Sequence, residues 1–199
     1  LADRRLLRRV TIVTIGSPQD VMTSFRQFFL QGAPQAADLY KALPWRLTAP
    51  VDGVSLAFFR IAFGGILLWE VWRYFSHGWI DFYWGEPQFH FTYSGFDWIK
   101  PWPGIGMDVH WAALGVLAAC IMLGVKYRIA APLFFLGFAY SFLLDQAYYL
   151  NHFYLVTLIS FLLIFIPAHR RFSFDAARDP KLAAAPVPAW SVWLIRFQL

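Results

Sequence analysis

The sequence predicts an all-α fold: a polytopic bundle of transmembrane helices, four complete spans and the start of a fifth, with an aromatic-rich interfacial loop. Three observations carry this. Of the 199 residues, 59% are hydrophobic and only 15% charged, whereas soluble domains run to about one quarter charged. Mean hydropathy is +0.48, and the apolar residues fall in long runs rather than short alternating ones. Aromatics make up 20% of the chain, with ten Trp, which suits side chains gathered at membrane–water interfaces. A soluble α/β enzyme would need strands bounded by charged surface, and no stretch reads that way. The single Cys120 excludes an internal disulfide.

Residues 1–51 read as a cytoplasmic, basic, interfacial segment ahead of a transmembrane domain over 52–199. Arg4, Arg5, Arg8 and Arg9 recur at helical spacing opposite Leu6, Leu7 and Val10, a pattern suited to an anionic lipid surface. Val21, Met22, Phe25, Phe28 and Phe29 repeat with helical period, so a second short helix is expected to lie flat on the membrane. Pro34, Pro44 and Pro50 break the stretch between that helix and the first span. A docking arm for a partner subunit is the alternative use of this segment.

The first span is expected from Val54 to Phe75, with Asp52 as N-cap. It carries Arg60 and Glu70 inside the apolar run. Ten residues apart, they lie about 80° apart around the helix and nearly three turns along it, so they cannot pair directly. Each needs a bundle interior, another partner, or a route to the interface. Gly64 and Gly65 permit close approach of a second helix.

Residues 76–106 form a long loop with ten aromatic side chains, from Trp79 to Trp102. So much apolar surface is not stable in bulk water, and the loop is expected to fold back as a cap over the helix ends. It either packs as core or lines a ligand pocket. A second span comes next over Val109–Val125, then the basic turn Lys126–Arg128.

From Ile129 to Ile166 the chain is almost uninterrupted apolar sequence. As one helix, these roughly 38 residues would reach about 57 Å, nearly twice the roughly 30 Å hydrocarbon core of a bilayer. The chain must therefore double back. The polar cluster Asp145, Gln146, Asn151, His152 marks the bend, and spans three and four become antiparallel neighbours. Pro167 ends the fourth span, a polar linker succeeds it, and Trp190–Leu199 begins a fifth with Arg196 inside it. Because the chain opens on Leu1 and stops inside an apolar run, both ends are expected to be cut from a longer protein.

Charge distribution sets the orientation. Seven Lys and Arg precede the first span, two lie in the second-to-third turn and four in the linker after the fourth. These thirteen fall on one side, against Lys100 and at most Arg73 on the other. The positive-inside rule then makes the N-terminus cytoplasmic, with the periplasm or an organelle lumen on the other side. The aromatic loop and the Asp145–His152 bend face outward, together with His77, His90 and His110. Titratable groups under an aromatic cap are a candidate site. No two of those histidines stand at a metal-ligand spacing, so no metal is expected. Nothing in the pattern points to nucleic acid, and no P-loop, dinucleotide fingerprint or serine-nucleophile motif occurs.

Six stretches narrow this further: SLAFFRIAFG (55–64), FHFTYSGFDWIKPWPG (89–104), LGVKYRI (123–129), FLLDQAYYLNHFYL (142–155), PAHRRFSFD (167–175) and LIRFQL (194–199). In order and spacing they resemble the membrane domain of the vitamin K-dependent γ-glutamyl carboxylases and their bacterial relatives, the HTTM (horizontally transferred transmembrane) family. The resemblance implies chemistry on the outer side of the membrane, started by a Lys that comes after an Asp in a Leu-Asp-Lys pattern. Here the matching residues are Leu144, Asp145 and Gln146. An amide is no general base, whereas a Lys of lowered pKa is. Asn151 and His152 match the family's Asn-His pair.

The resemblance therefore implies a non-catalytic relative, a scaffold or accessory subunit of a larger membrane complex that contacts the lipid bilayer and other membrane subunits. True γ-carboxylation by a substitute base is one alternative; the other is a quinone- or lipid-binding membrane enzyme with its site on the outer side. In that case Asp145, Gln146 and His152 are the catalytic candidates, Asn151, His90, Trp98 and Tyr148 the ligand-binding ones, and Arg60, Glu70 and Arg196 the intramembrane charges. The predicted test is a cavity at the outer leaflet lined by Gln146, His152 and loop aromatics, able to hold a quinone or bound lipid.

Overall fold

The computed structural model describes residues 45–198 apart from Gln88. The expectations for the amphipathic N-terminal helices lie outside the described residues. The chain divides into two compact units, Leu1–Trp45 and Arg46–Leu199, and the second carries the fold.

Four apolar helices dominate. The first, α1 (Val54–Ser76), is 23 residues long, and α2 (Gly106–Leu123) is 18. Both are long and apolar enough to cross a membrane. The next two, α3 (Tyr127–Leu143, 17 residues) and α4 (Asn151–Phe165, 15 residues), are shorter. Both are shorter than the roughly 20 residues that a bilayer core takes, and the hairpin between them takes seven residues, 144–150, including a 3₁₀ turn at Gln146–Tyr148. The bend itself lies where the polar cluster predicts it. Three short helices complete the chain, α5 (Phe174–Arg178), α6 (Pro180–Ala184) and α7 (Ala189–Arg196).

Neighbours in sequence are neighbours in space: α1 packs on α2, α2 on α3, and α3 on α4. Gly64 sets the first of these contacts. A Cβ there would fall 2.7 Å from the Met122 backbone nitrogen, so only glycine lets α1 and α2 approach this closely. The buried core runs along the row through Leu56, Leu67, Trp111, Leu114, Phe134 and Leu163. One feature that the sequence did not reveal is a two-residue antiparallel ladder. Strand β1 (Pro50–Val51) pairs with β2 (Val187–Pro188) and ties the start of α1 to the start of α7. The N-cap of α1 is Gly53 rather than Asp52, although the Asp52 carboxylate still accepts the Val54 N–H at 3.3 Å.

The end of the bundle carrying residues 121–127 and 166–175 is locked by polar side chains. Arg60 is fully buried. Its guanidinium donates to the carbonyls of Ile121 (2.6 Å), Met122 (2.5 Å), Phe172 (2.7 Å) and Ala168 (3.1 Å). The carbonyls near the end of α2 lack a full set of intrahelical donors, and Arg60 supplies one. Asp175 caps α3, accepting the Lys126 and Tyr127 N–H groups at 2.9 Å each. The Tyr127 hydroxyl donates to the Leu163 carbonyl at 2.7 Å.

Candidate functional site

The opposite end is built from the C-terminus of α1, the aromatic loop, the N-terminus of α2 and the α3–α4 hairpin. Tyr74 of α1 stacks on Trp111 of α2, ring centres 4.2 Å apart and nearly parallel. Trp84, in a π-helical turn at Asp81–Gly85, lies against both rings at 5.9 and 5.3 Å. All three are buried. The first half of the loop therefore caps the bundle as expected. Its second half keeps Phe89, Phe91, Trp98 and Trp102 exposed.

The hairpin is stitched to that loop at two points. The Gln146 N–H donates to the Phe91 carbonyl at 2.7 Å, and the Asp145 carboxylate meets His90 Nδ1 at 3.1 Å. Asp145 is 7% exposed. Its other oxygen accepts the Ala147 N–H at 2.8 Å, capping the 3₁₀ turn. Burial, then the nearby Tyr149 and Asp145, pushes the Tyr93 phenol above its ordinary range.

The predicted site residues do not converge. Asp145 and Tyr148 line a cavity of about 160 Å³ walled by Tyr74, Tyr83, Trp84, Tyr149 and Phe153. His152 lies instead in a separate crevice of about 210 Å³ with Glu70, Arg73, Trp111 and Phe134. Gln146 is exposed, lines neither space, and its side-chain amide makes no hydrogen bond among the described residues. The single cavity expected from Gln146, His152 and loop aromatics is thus replaced by two. The reason is helical geometry: Asp145 precedes the 3₁₀ turn and faces the loop, while His152 begins α4 and turns toward α1. Asn151 is also exposed and does not cap α4, whose N-cap position is Leu150. Trp98, 76% exposed, lines neither cavity. His90 faces a wide bowl of about 1020 Å³, bordered by Asp81, Glu86, Asp97, Lys100 and Trp102, so the His90–Asp145 pair stands between the bowl and the aromatic cavity.

The intramembrane charges have local partners. Glu70 pairs with Arg73 one turn on, at 2.8 Å, a link readable from i, i+3 spacing but not anticipated. Arg73 also lies over the Trp79 ring at 4.9 Å. Arg60 belongs to the clamp at the other end, and Arg196 sits over Trp193 at 5.3 Å. Among the described residues no three His, Cys, Asp or Glu side chains group to hold a metal ion.

The family model of the HTTM domain matches residues 48–199, more than half of the chain. This chain belongs to the HTTM-domain family. It is the family that the six motifs resemble, and together with the two span-length apolar helices it makes this a membrane protein. No solved structure matches the chain. Within the HTTM match, His90, Asp145 and the cavity aromatics from Tyr74 to Phe153 come from four separate stretches that only the fold unites. Sequence spacing shows the hairpin, but nothing local ties Tyr74 or Trp84 to Asp145.

Proposed function

We propose that this HTTM protein is a non-catalytic membrane module, a scaffold or accessory subunit within a larger membrane assembly. In this reading α1–α4 are four complete spans and α7 begins a fifth. Residues 52–199 form the membrane domain, residues 1–51 a cytoplasmic interfacial segment, and the hairpin faces outward from a bacterial inner membrane. Its neighbours are the bilayer and other membrane subunits, not nucleic acid.

The observation that carries the reading is the state of the three catalytic candidates. Asp145 caps the 3₁₀ turn through the Ala147 N–H and meets His90, Gln146 is an exposed amide, and His152 lines a different space from Asp145. General-base chemistry needs a titratable group within hydrogen-bond reach of the substrate proton, and the three candidates do not share one space. The test is to extract the protein in mild detergent, size the native particle, and assay the isolated chain for carboxylation of a glutamate peptide with a reduced quinone. A particle larger than the chain and its micelle, with no product, is expected. A monodisperse single chain that turns over would overturn the reading.

One observation favours a second reading, a quinone- or lipid-binding protein with its site on the outer side. The cavity beside Asp145 is aromatic on most of its walls and has a single buried carboxylate, the apolar lining with few polar groups that small-molecule sites share.

A further inference from the structure

We infer that the aromatic cavity beside Asp145 is a cage for an organic cation, a quaternary ammonium group such as choline or a phosphocholine headgroup. The inference rests on the reading of this cavity as a binding site and names the class of its ligand.

The lining supports this. Buried Tyr74, Trp84 and Phe153 form the floor, and half-exposed Tyr148 and Tyr149 form the mouth. Tyr83 closes one side, its ring 4.7 Å from Tyr148 and edge-on to it. Phe142 completes the wall against Tyr149 at 5.7 Å. Seven aromatic rings thus surround a space of about 160 Å³, too small for most drug-sized ligands but suited to a compact head. Aromatic faces carry negative potential and attract cations, most of all those that cannot hydrogen-bond and are weakly hydrated.

The formal charge agrees. Asp145 is the only charged residue in the lining, and its side chain is 4% exposed. Each of its oxygens accepts one hydrogen bond, leaving lone pairs free to face a positive group. No Lys or Arg lines the cavity to polarise a carbonyl oxygen or to compete for the site. The nearest arginine on α1, Arg73, is occupied by Glu70 and the Trp79 ring. A carboxylate set in an aromatic box, with no Lys or Arg in the lining and only the titratable His90 ring beside it, is the complement of a quaternary ammonium.

The experiment titrates the full chain in maltoside micelles with choline chloride, with its uncharged isostere neohexyl alcohol, with dihexanoylphosphatidylcholine below its micellar concentration, and with duroquinone. Binding is read by calorimetry and by saturation transfer to the ligand methyl groups. Choline is expected to saturate and to bind about tenfold or more tighter than neohexyl alcohol. Asp145→Asn keeps an acceptor for the Ala147 N–H and removes the charge; Tyr148→Leu removes one exposed ring. Each is expected to weaken choline about tenfold in a protein that still folds. If Asp145→Asn fails to fold, Tyr148→Leu still reports. Tighter binding of the phosphatidylcholine than of choline assigns the site to a lipid head, and the reverse to a free cation. The inference is overturned if choline binds no better than its isostere, or if both folded variants bind as the parent does. Should duroquinone saturate the site and choline not, the cage falls while the cavity remains a ligand site. If none of the four binds, both fall.

Discussion

Replacing Arg60 tests the clamp that closes one end of the bundle. Its guanidinium reaches four backbone carbonyls, two near the end of α2 and two in the 168–172 segment, and the side chain is fully buried. Hydrogen bonds from a charged donor contribute about 1.5–3 kcal/mol each in net terms. They are not additive here, because one desolvation cost is shared by all four. Arg60→Leu leaves several carbonyls buried without a donor, each at about 1–3 kcal/mol, so a loss of about 3 kcal/mol or more is expected. Met122, Ala168 and Phe172 suffer most, since no other donor to their carbonyls is present among the described residues, whereas Ile121 keeps the Gly124 N–H. Arg60→Lys is the sharper control. An ammonium has three donors and no planar fork, so at least one carbonyl loses its partner, at about 1–3 kcal/mol. Reversible unfolding in mixed detergent micelles, monitored by far-ultraviolet circular dichroism, measures both. The order parent, Lys, Leu is expected, with Leu at least about 3 kcal/mol down. A leucine variant within about 1 kcal/mol of the parent would show that the clamp does not hold the fold.

Single contacts set further outcomes. The His169 ring is 5% exposed and pushed down to about 4, first by burial and then by Arg128, with Asp175 opposing. An unfolded His titrates near 6.5, so the unfolded chain takes up the proton first. Stability present above about pH 6.5 should therefore be lost between there and about pH 4, by about 3 kcal/mol in all; His169→Gln should flatten that part of the unfolding-versus-pH curve. Gly124 has φ +65°, and a Cβ there would fall 2.3 Å from Ser173 Cβ, so Gly124→Ala should cost more than the roughly 1 kcal/mol of the left-handed backbone alone, read as a lowered unfolding midpoint. Gly64→Val should push α1 off α2 against the Met122 backbone and reduce the yield of folded protein in detergent. A double-mutant cycle over His90→Ala and Asp145→Asn should return a coupling of about 0.5–3 kcal/mol, and a value near zero would mean that the 3.1 Å contact does not hold the loop to the hairpin.

The architecture was largely legible in the sequence, because the hydrocarbon thickness of a bilayer acts on residue counts. The length of the 129–166 run forced a bend, and the polar residues at 145–152 located it. Arg60 shows where legibility stops. Its place inside an apolar run demands a partner, but the partners are backbone carbonyls 61 to 112 residues away, and carbonyls leave no mark in a sequence. Asp175 is a similar case: it looks like a linker acid, yet it caps a helix that begins 48 residues earlier. The site was legible only in part. Asp145 and His90 were both singled out, but not as a pair, since 55 residues of loop and helix separate them. Asp145 and His152 look close along the chain, but the 3₁₀ turn at Gln146–Tyr148 lies between them and they line different spaces.

These contacts divide the family's motifs into two kinds. SLAFFRIAFG contributes Arg60, LGVKYRI contributes Gly124 and Tyr127, and PAHRRFSFD contributes Ala168, Phe172 and Asp175. All three meet at the clamp, where every role is to satisfy a backbone group or fill a close approach. FHFTYSGFDWIKPWPG and FLLDQAYYLNHFYL meet at the other end, through His90 with Asp145 and Phe91 with Gln146. The Phe91–Gln146 contact uses the backbone of residue 146, and the side chain there points away into the open. Gln146→Lys is therefore expected to keep the stitch and the fold, read as an unchanged unfolding midpoint. The join between loop and hairpin at this end thus rests on backbone and on the His90–Asp145 pair, not on the side chain at 146.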